Sequence, residues 1–451
     1  MKEKLAALVS QAVEKAKFKP REVIIEIPRD KKYGDFSSNV ALLLAREQNL
    51  SPLEIADKIA SQIPKIDKEK LLSKVEIVNP GFINFLINDY YLQNYLPQIK
   101  KSDEKYGSRK VYKEKVLIEF VSANPTGPLH IGHGRWAVIG DVIASLLSAV
   151  GYKAEREYYV NDVGTQVDLL MESIKAVSEG RPIPEGGYGG EYVRRISEDQ
   201  NIRGRISENQ SIREIILKMM LDDQKKVLEE LGVKFDHFFF ESELHEGKKI
   251  SEAIDKLKKA SMTEELEGAL WFKSKEFGDE KNRVLIRETG EPTYFAADIA
   301  YHLNKFKRGY SHLIDVWGTD HHGYVPRMKA AVRVLGLPAD NLEIIIGQLV
   351  TLYRGKEPIR MSKRTGEMIT LKEVIDEIGK DATRFFLAMV SPNTHLDFDL
   401  ELAKEKSIHN PVYYVQYAHA RICSIFKEAE TRDWRLETLK SNCLPILWNE
   451  T

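Results

Sequence analysis

The sequence predicts an α/β protein whose largest part is a doubly wound parallel sheet, and three observations carry that expectation. Apolar, β-rich runs at residues 116–121, 154–160, 312–317 and 342–352 alternate with helical stretches, the order that builds a parallel sheet covered by helices. Between the first run and a helical pattern over 137–150 lies a Gly/Pro loop at the carboxyl end of a predicted strand, where such sheets hold ligands. With 451 residues and 43% hydrophobic content, the chain has material for about three packed domains.

The front of the chain reads as a small α/β domain. The pattern predicts a helix over 2–17, a strand over 23–27, a helix over 36–47, and a helix from Ser51, where Ser51 and Glu54 have capping-box spacing around Pro52. Strands over 75–78 and 82–87 follow, then a helix from Asp89. Residues 1–115 hold 22 Lys/Arg against 16 Asp/Glu, whereas the whole chain has a net charge of −1. That balance argues against indiscriminate polyanion binding and puts the basic excess where it can meet a nucleic-acid backbone. Residues 1–19 lack the apolar core of a signal peptide and no run reaches membrane-span length, so the expectation is a cytoplasmic enzyme without membrane contact. Two cysteines, Cys423 and Cys443, are too few for a disulfide framework or a four-cysteine zinc site.

The loop after the first strand suits phosphate. Pro125 and Pro128 cannot extend a central strand, while Gly127, Gly132 and Gly134 let backbone approach a ligand. His130 and His133, three apart, face the same way as a helix opens, and that helix N-terminus favours an anion. A bare H-x-x-H also suits a metal site. Further on, 182–190 is Gly/Pro-rich loop, and the charged stretch 194–291 reads as long and helix-rich. Tyr294 and Asp298 are four apart, on one helical face. A later strand runs into Gly318-Thr319-Asp320-His321-His322. A D-H-H triplet also admits a metal, but no further His/Cys/Asp cluster completes a coordination set nearby.

The stretch Ser122-Ala123-Asn124-Pro125-Thr126-Gly127-Pro128-Leu129-His130-Ile131-Gly132-His133 resembles the HIGH signature of class I aminoacyl-tRNA synthetases, and its S-A-N-P-T-G-P-L lead-in resembles the arginyl family. Arg360-Met361-Ser362-Lys363-Arg364-Thr365-Gly366 is similar to that class's KMSKS loop, with Arg360 in place of the first lysine and Arg364 in place of the last serine. Other class I nucleotidyl-transfer enzymes share H-x-x-H but not the N-P-T-G-P-L lead-in or the Tyr294/Asp298 pair. The segments Tyr33-Gly34-Asp35-Phe36-Ser37-Ser38-Asn39 and Asn79-Pro80-Gly81-Phe82-Ile83-Asn84 resemble the family's appended N-terminal domain. The stretch from Ser407 to Arg421 resembles the opening of its helical anticodon-binding domain.

The resemblance implies three parts: an N-terminal tRNA-contacting α/β domain over 1–110, a Rossmann-like catalytic domain over 111–395 with a helix-rich insertion at about 180–285, and the start of a helical bundle over 396–451, shorter than the family's. It implies a ligase that activates arginine with ATP and passes it to the 3′ end of tRNA(Arg), with activation itself depending on bound tRNA. The alternative is an inactive or tRNA-binding fragment of such an enzyme, or another class I nucleotidyl-transfer enzyme. His130, His133 and Lys363 are then catalytic, and Pro128, Leu129, Gly132, Gly134, Gly318, Asp320, Met361 and Ser362 hold ATP, with Mg2+ accompanying the phosphates. Glu119, Ser122, Asn124, Tyr294, Asp298 and His321 hold arginine, because a carboxylate accepts two parallel bonds from a guanidinium fork. Asn79, Phe82 and Asn84 meet a D-loop base of the tRNA by stacking and edge hydrogen bonds. No resident metal is implied, and the family suggests a monomer.

Overall fold

In the computed structural model, residues 1–19, 22–48, 50–108, 111–200, 202, 209–359 and 369–431 are described, and the chain divides into two units, Met1–Tyr106 and Gly107–Arg432. The first unit opens with α1 (Lys2–Lys15), whose Leu5, Val9, Ala12 and Val13 recur at helical spacing and are all buried. β1 (Phe36–Ser38), α2 (Val40–Gln48), α3 (Pro52–Ala60), α4 (Ile63–Ile66), β2 (Leu72–Val78), β3 (Phe82–Ile87) and α5 (Asp89–Ser102) follow. The strands form one antiparallel sheet in the order β1-β3-β2. Ser51 accepts from the Glu54 amide at 3.2 Å and Glu54 accepts from the Ser51 amide at 3.3 Å, so the expected capping box is present.

Two local expectations fail here. The predicted strand over 23–27 is irregular and makes a single bridge, Glu26 opposite Ser37. The predicted helix over 36–47 is split, because Phe36–Ser38 is extended against β3 and the helix starts only at Val40. Ser38 decides the break: its hydroxyl donates to the Ile24 carbonyl at 3.1 Å and accepts from the Val40 amide at 3.4 Å, a side-chain competition typical of serine beside a helix start.

The second unit runs β4 (Lys115–Glu119), α6 (Ile131–Ala149), β5 (Lys153–Val160), α7 (Thr165–Ser178), α8 (Glu191–Glu198), α9 (Asn209–Glu230), β6 (His237–Phe240), α10 (Ser242–Glu246), α11 (Lys249–Lys259), β7 (Thr263–Leu266), β8 (Ala269–Phe272), β9 (Arg283–Ile286) and α12 (Tyr294–Lys307). It continues with β10 (His312–Gly318), α13 (Val325–Val334), β11 (Leu342–Gly347), β12 (Val350–Arg354), β13 (Glu357–Pro358), α14 (Leu371–Ile378), α15 (Lys380–Ala388), β14 (Leu396–Asp399), α16 (Leu400–Lys404) and α17 (Pro411–Thr431). A five-stranded parallel sheet in the order β11-β10-β4-β5-β6 is its centre.

β4 shows why both faces of that sheet are covered. Val116 and Ile118 belong to one apolar cluster with residues of α6, α14 and α15, while Leu117 belongs to another with residues of α11, α12 and α13. The strand order departs in opposite directions from β4, so the crevice between the carboxyl ends of β4 and β10 is the switch point of the fold. The helix after β4 begins earlier than its apolar pattern predicted, at Ile131.

The predicted run over 342–352 is two strands. β11 joins the parallel sheet, and β12 pairs with β14 in a separate small sheet. β11 ends at Gly347, where a Cβ would lie 2.4 Å from Trp136 Nε1, so only glycine fits beside that indole. The stretch read as a helix-rich insertion also contains β6, which is the outer strand of the main sheet, and the antiparallel sheet β7-β8-β9. His237–Phe240 is too short and too aromatic for its strand character to separate from a helix by periodicity.

Candidate active site

At the phosphate end, two imidazoles cap a helix for each other. His130 precedes α6, and its Nδ1 accepts from the amides of Gly132 at 3.1 Å and His133 at 3.4 Å; His133 Nδ1 accepts in turn from the His130 amide at 3.3 Å. The rings stack with centroids 3.6 Å apart, and the Trp136 indole meets both edge-on. With each Nδ1 accepting, the neutral ring carries its proton on Nε2, which makes both histidines donors. Donors at a helix N-terminus suit a polyphosphate.

Gly134, one turn in, packs against the start of α14: a Cβ there would lie 2.5 Å from a Leu371 methyl. The two segments are also stitched by backbone, with the Leu371 amide donating to the Leu129 carbonyl at 2.8 Å and a bridge between His130 and Thr370. Met361, Ser362 and Lys363, expected at this site, lie outside the described residues. The chain is anchored on both sides of them, by Ile359 on the Leu352 carbonyl and by Thr370 against His130. Arg135, fully buried, donates to four carbonyls, those of Gln348, Leu349, Ser391 and Thr394, at 2.7–3.3 Å, and so fixes the crossover after β11 to α6.

At the other end, β4 delivers Glu119 and then turns abruptly. Val121 and Ser122 have φ of +70° and +42°, a region that a β-branched residue rarely enters and that costs about 1–3 kcal/mol. The turn sets the Ser122 hydroxyl to donate to Glu119 at 2.8 Å and accept from the Tyr159 amide at 3.2 Å. Three outside side chains hold the carbonyls of the next loop. Tyr158 Oη lies 2.9 Å from the Ala123 carbonyl, Tyr192 donates to Thr126, and the buried Gln224 forks its amide to Asn124 at 3.0 Å and Gly127 at 2.9 Å. Asn124 itself donates to Gln166. Gln224→Met keeps the length and removes both donors. It is expected to lower stability by about 2 kcal/mol and to weaken arginine-induced protection in a thermal-shift assay more than ATP-induced protection.

Opposite this loop, Thr293 caps α12, which places Tyr294 in the exposed first position and turns Asp298 inward, where Tyr324 donates to it at 2.5 Å. Burial pushes the Asp298 carboxyl up to about 6, with Glu119 and Glu241 adding repulsion against the opposing effects of Tyr324 and His302. Glu241, directly after β6, is 4% exposed and pushed up to about 7, again chiefly by burial, with Asp162 adding repulsion and Tyr159 a hydrogen bond that opposes it. Burial also raises Glu119. Glu119, Asp298 and Glu241 thus form an acidic cluster around Tyr159, whose hydroxyl is held protonated by burial and by all three.

Glu241 and Tyr159 were not identified from the sequence. The available signal was a β-rich run ending in a carboxylate, the same pattern that ends in Glu119 on β4. Gly318 and Gly347 are register partners at the carboxyl ends of β10 and β11, and the Trp136 indole packs against Gly347. Pro128 and buried Leu129 directly precede the His130 cap of α6. His321 is exposed, its ring 5.7 Å from Trp317 and 5.9 Å from Tyr324, while the Asp320 side chain lies outside the described residues. In the first unit, Asn79 is exposed and Phe82 half-buried; Asn84 is 4% exposed and accepts from the Ser37 hydroxyl at 2.7 Å.

Comparison with known proteins agrees in two places along the chain. Residues 3–87 match the model of the arginyl tRNA synthetase N terminal domain, and residues 95–183 and 191–400 match that of the tRNA synthetases class I (R) catalytic domain. The arginine–tRNA ligase of Heliobacterium modesticaldum is 44% identical over 457 residues, covering 95% of this chain and 80% of that protein. The Bacillus subtilis arginine–tRNA ligase is 44% identical over 446 residues with the same coverage. Thermus thermophilus arginyl-tRNA synthetase shares the fold, with a TM-score of 0.74 over 95% of this chain and 82% of that one, at 21% identity.

Proposed function

The chain belongs to the arginyl-tRNA synthetase family, and it activates arginine with ATP and transfers it to tRNA; from that premise we propose which residues do the work. The observation that carries the assignment is the cluster of buried carboxylates, Glu119, Asp298 and Glu241, at one end of a crevice whose other end is the two-histidine helix cap. A cation and a polyphosphate are held by opposite ends of one sheet edge.

In this reading the arginine guanidinium lies on Asp298 and Glu241, with Glu119 and Ser122 forming the adjoining wall and Tyr294 and His321 the rim. Asn124 holds the α-amino and carboxyl groups. The arginine carboxylate attacks the α-phosphorus of ATP, the bond to the bridging oxygen breaks, and pyrophosphate leaves. A ribose hydroxyl of the tRNA 3′ end then attacks the adenylate carbonyl, and AMP departs. No protein nucleophile is required; alignment and neutralisation of growing charge lower the barrier. His130 and His133 donate to the phosphates, Lys363 meets the departing pyrophosphate with Met361 and Ser362 beside it, and Gly132, Gly134, Pro128, Leu129, Gly318 and Asp320 hold the nucleotide. These nitrogen donors are not ligands for a hard cation, so Mg2+ belongs to the nucleotide rather than to the protein. In the N-terminal domain, Asn79, Phe82 and Asn84 are the residues assigned to the tRNA base, with Asn84 buried and held by the Ser37 hydroxyl. A cytoplasmic monomer with the domains 1–110, 111–395 and 396–451 is part of the same proposal.

Aminoacylation of total tRNA with each amino acid in turn tests the assignment. Charging by arginine alone is expected, and ATP–pyrophosphate exchange that proceeds fully without tRNA would count against it. The carboxyls also predict a pH dependence. Free Asp298 and Glu241 hold protons up to about 6 and 7, and a guanidinium prefers them ionised. The KM for arginine is therefore expected to fall as pH rises from 5.5 to 8, with little change for ATP. The stability sign is opposite: both raised carboxyls keep protons that the unfolded chain releases, so the arginine-free protein loses melting temperature as pH rises from about 4 to about 7 and levels off above that, and arginine restores it.

A further inference from the structure

Beneath the acidic cluster lies a cation that the mechanism above does not use. Lys305, on α12, is 0% exposed, and its ammonium lies 2.6 Å from Glu119 Oε2 and 2.8 Å from Asp315 Oδ1. Asp315 and Glu119 are register partners on the neighbouring strands β10 and β4. The other oxygen of Asp315 lies 2.8 Å from His302 Nε2, and His302 Nδ1 lies 2.7 Å from the backbone carbonyl of Asp298. Glu119's remaining oxygen is taken by Ser122. One buried chain of contacts therefore runs from Glu119 to the helical turn that carries Asp298.

We propose that Lys305 is a positioning residue for arginine recognition: its ammonium fixes the Glu119 carboxylate in one orientation as an ionised wall of the pocket, and ties that wall through Asp315 and His302 to Asp298. This rests on the assignment of Glu119 and Asp298 to the arginine pocket. Around Glu119 stand Lys305, Tyr301 and Asp298 from α12, Asp315 from β10, Tyr159 and its register partner Glu157 from β5, and Ser122 from the turn; His302 reaches the group through Asp315, and Glu241 through Tyr159 and Asp298. Glu157 already has its own cation, Arg308, which it accepts from through both oxygens at 2.5 and 2.7 Å. Lys305 is therefore the cation that answers Glu119, and without it a buried carboxylate at this depth takes up a proton.

Arginine-dependent and ATP-dependent kinetics of the full chain with tRNA, over pH 6–9, test the proposal in four variants. Lys305→Met is expected to raise the KM for arginine about tenfold at pH 7 and to move its pH profile up by about one unit, leaving the KM for ATP in place. Lys305→Arg restores most of the loss. Asp315→Asn removes a competing negative charge from Glu119, so it is expected to move the profile in the opposite direction, to lower pH. Equal losses toward arginine and ATP with an unmoved profile would overturn the proposal. Should Lys305→Met fail to fold, an unshifted profile in Asp315→Asn overturns it and an acid shift supports it. Glu119→Gln separates the two levels of inference: an unchanged arginine KM there removes the pocket assignment itself, whereas a raised KM beside silent Lys305 and Asp315 variants removes only the role given to Lys305.

Discussion

Asp298→Asn is expected to lower kcat/KM for arginine by about a hundredfold to a thousandfold while the KM for ATP stays within about twofold. Asparagine keeps the shape of the side chain and an acceptor for Tyr324, so helix α12 and the contact at 2.5 Å are retained in kind. What disappears is a charge at a place where water cannot substitute, since burial is the chief cause that lifts this carboxyl to about 6. Loss of one member of a desolvated ion pair costs about 3–5 kcal/mol, which is the origin of the two to three decades. Citrulline, the neutral isostere of arginine, supplies the control. The wild type should reject it strongly and the variant should discriminate far less. Equal arginine kinetics in the two proteins would remove Asp298 from the pocket.

The second large effect concerns the histidine pair, where structure and chemistry have to be separated. His130→Ala removes an N-cap, worth about 1 kcal/mol of stability, and also a donor toward phosphate. His130→Asn restores a good cap acceptor without the distant Nε2 donor. The alanine variant is thus expected to melt lower and react slowly, whereas the asparagine variant regains the melting temperature and remains slow by about a hundredfold to a thousandfold in single-turnover aminoacylation. Full activity in the asparagine variant would assign His130 to capping alone. The double variant His130→Ala, His133→Ala should lose less than the product of the single losses, because each ring caps the other's backbone.

How much of this was legible in the sequence varied with the kind of signal. The alternation of strands and helices that builds the parallel sheet and the placement of the histidines at a helix start followed from apolar runs and a Gly/Pro loop, since both are local. The capping box at Ser51 was legible for the same reason. The helix at Val40 was misread because Ser38 looked compatible with a helix until its hydroxyl found the Ile24 carbonyl, a contact across 14 residues. The short β6 escaped because four aromatic-rich residues do not declare a period, and with it went Glu241. The least legible part was the interior polar chain. Lys305, His302 and Asp315 look like ordinary helix and strand residues in one dimension, and only the parallel pairing of β4 with β10 brings them against Glu119.

The left-handed turn at Val121 and Ser122 has a practical meaning for anyone who tries to make this enzyme more heat-tolerant. Val121→Gly would relieve the φ of +70°, but it would also empty a buried side chain of the main apolar cluster, so its melting temperature is expected to fall. The same change frees the backbone that aims Ser122 at Glu119. Selection for endurance and selection for amino-acid fidelity therefore both keep valine at this strained position, and a thermal screen has to look elsewhere for gains.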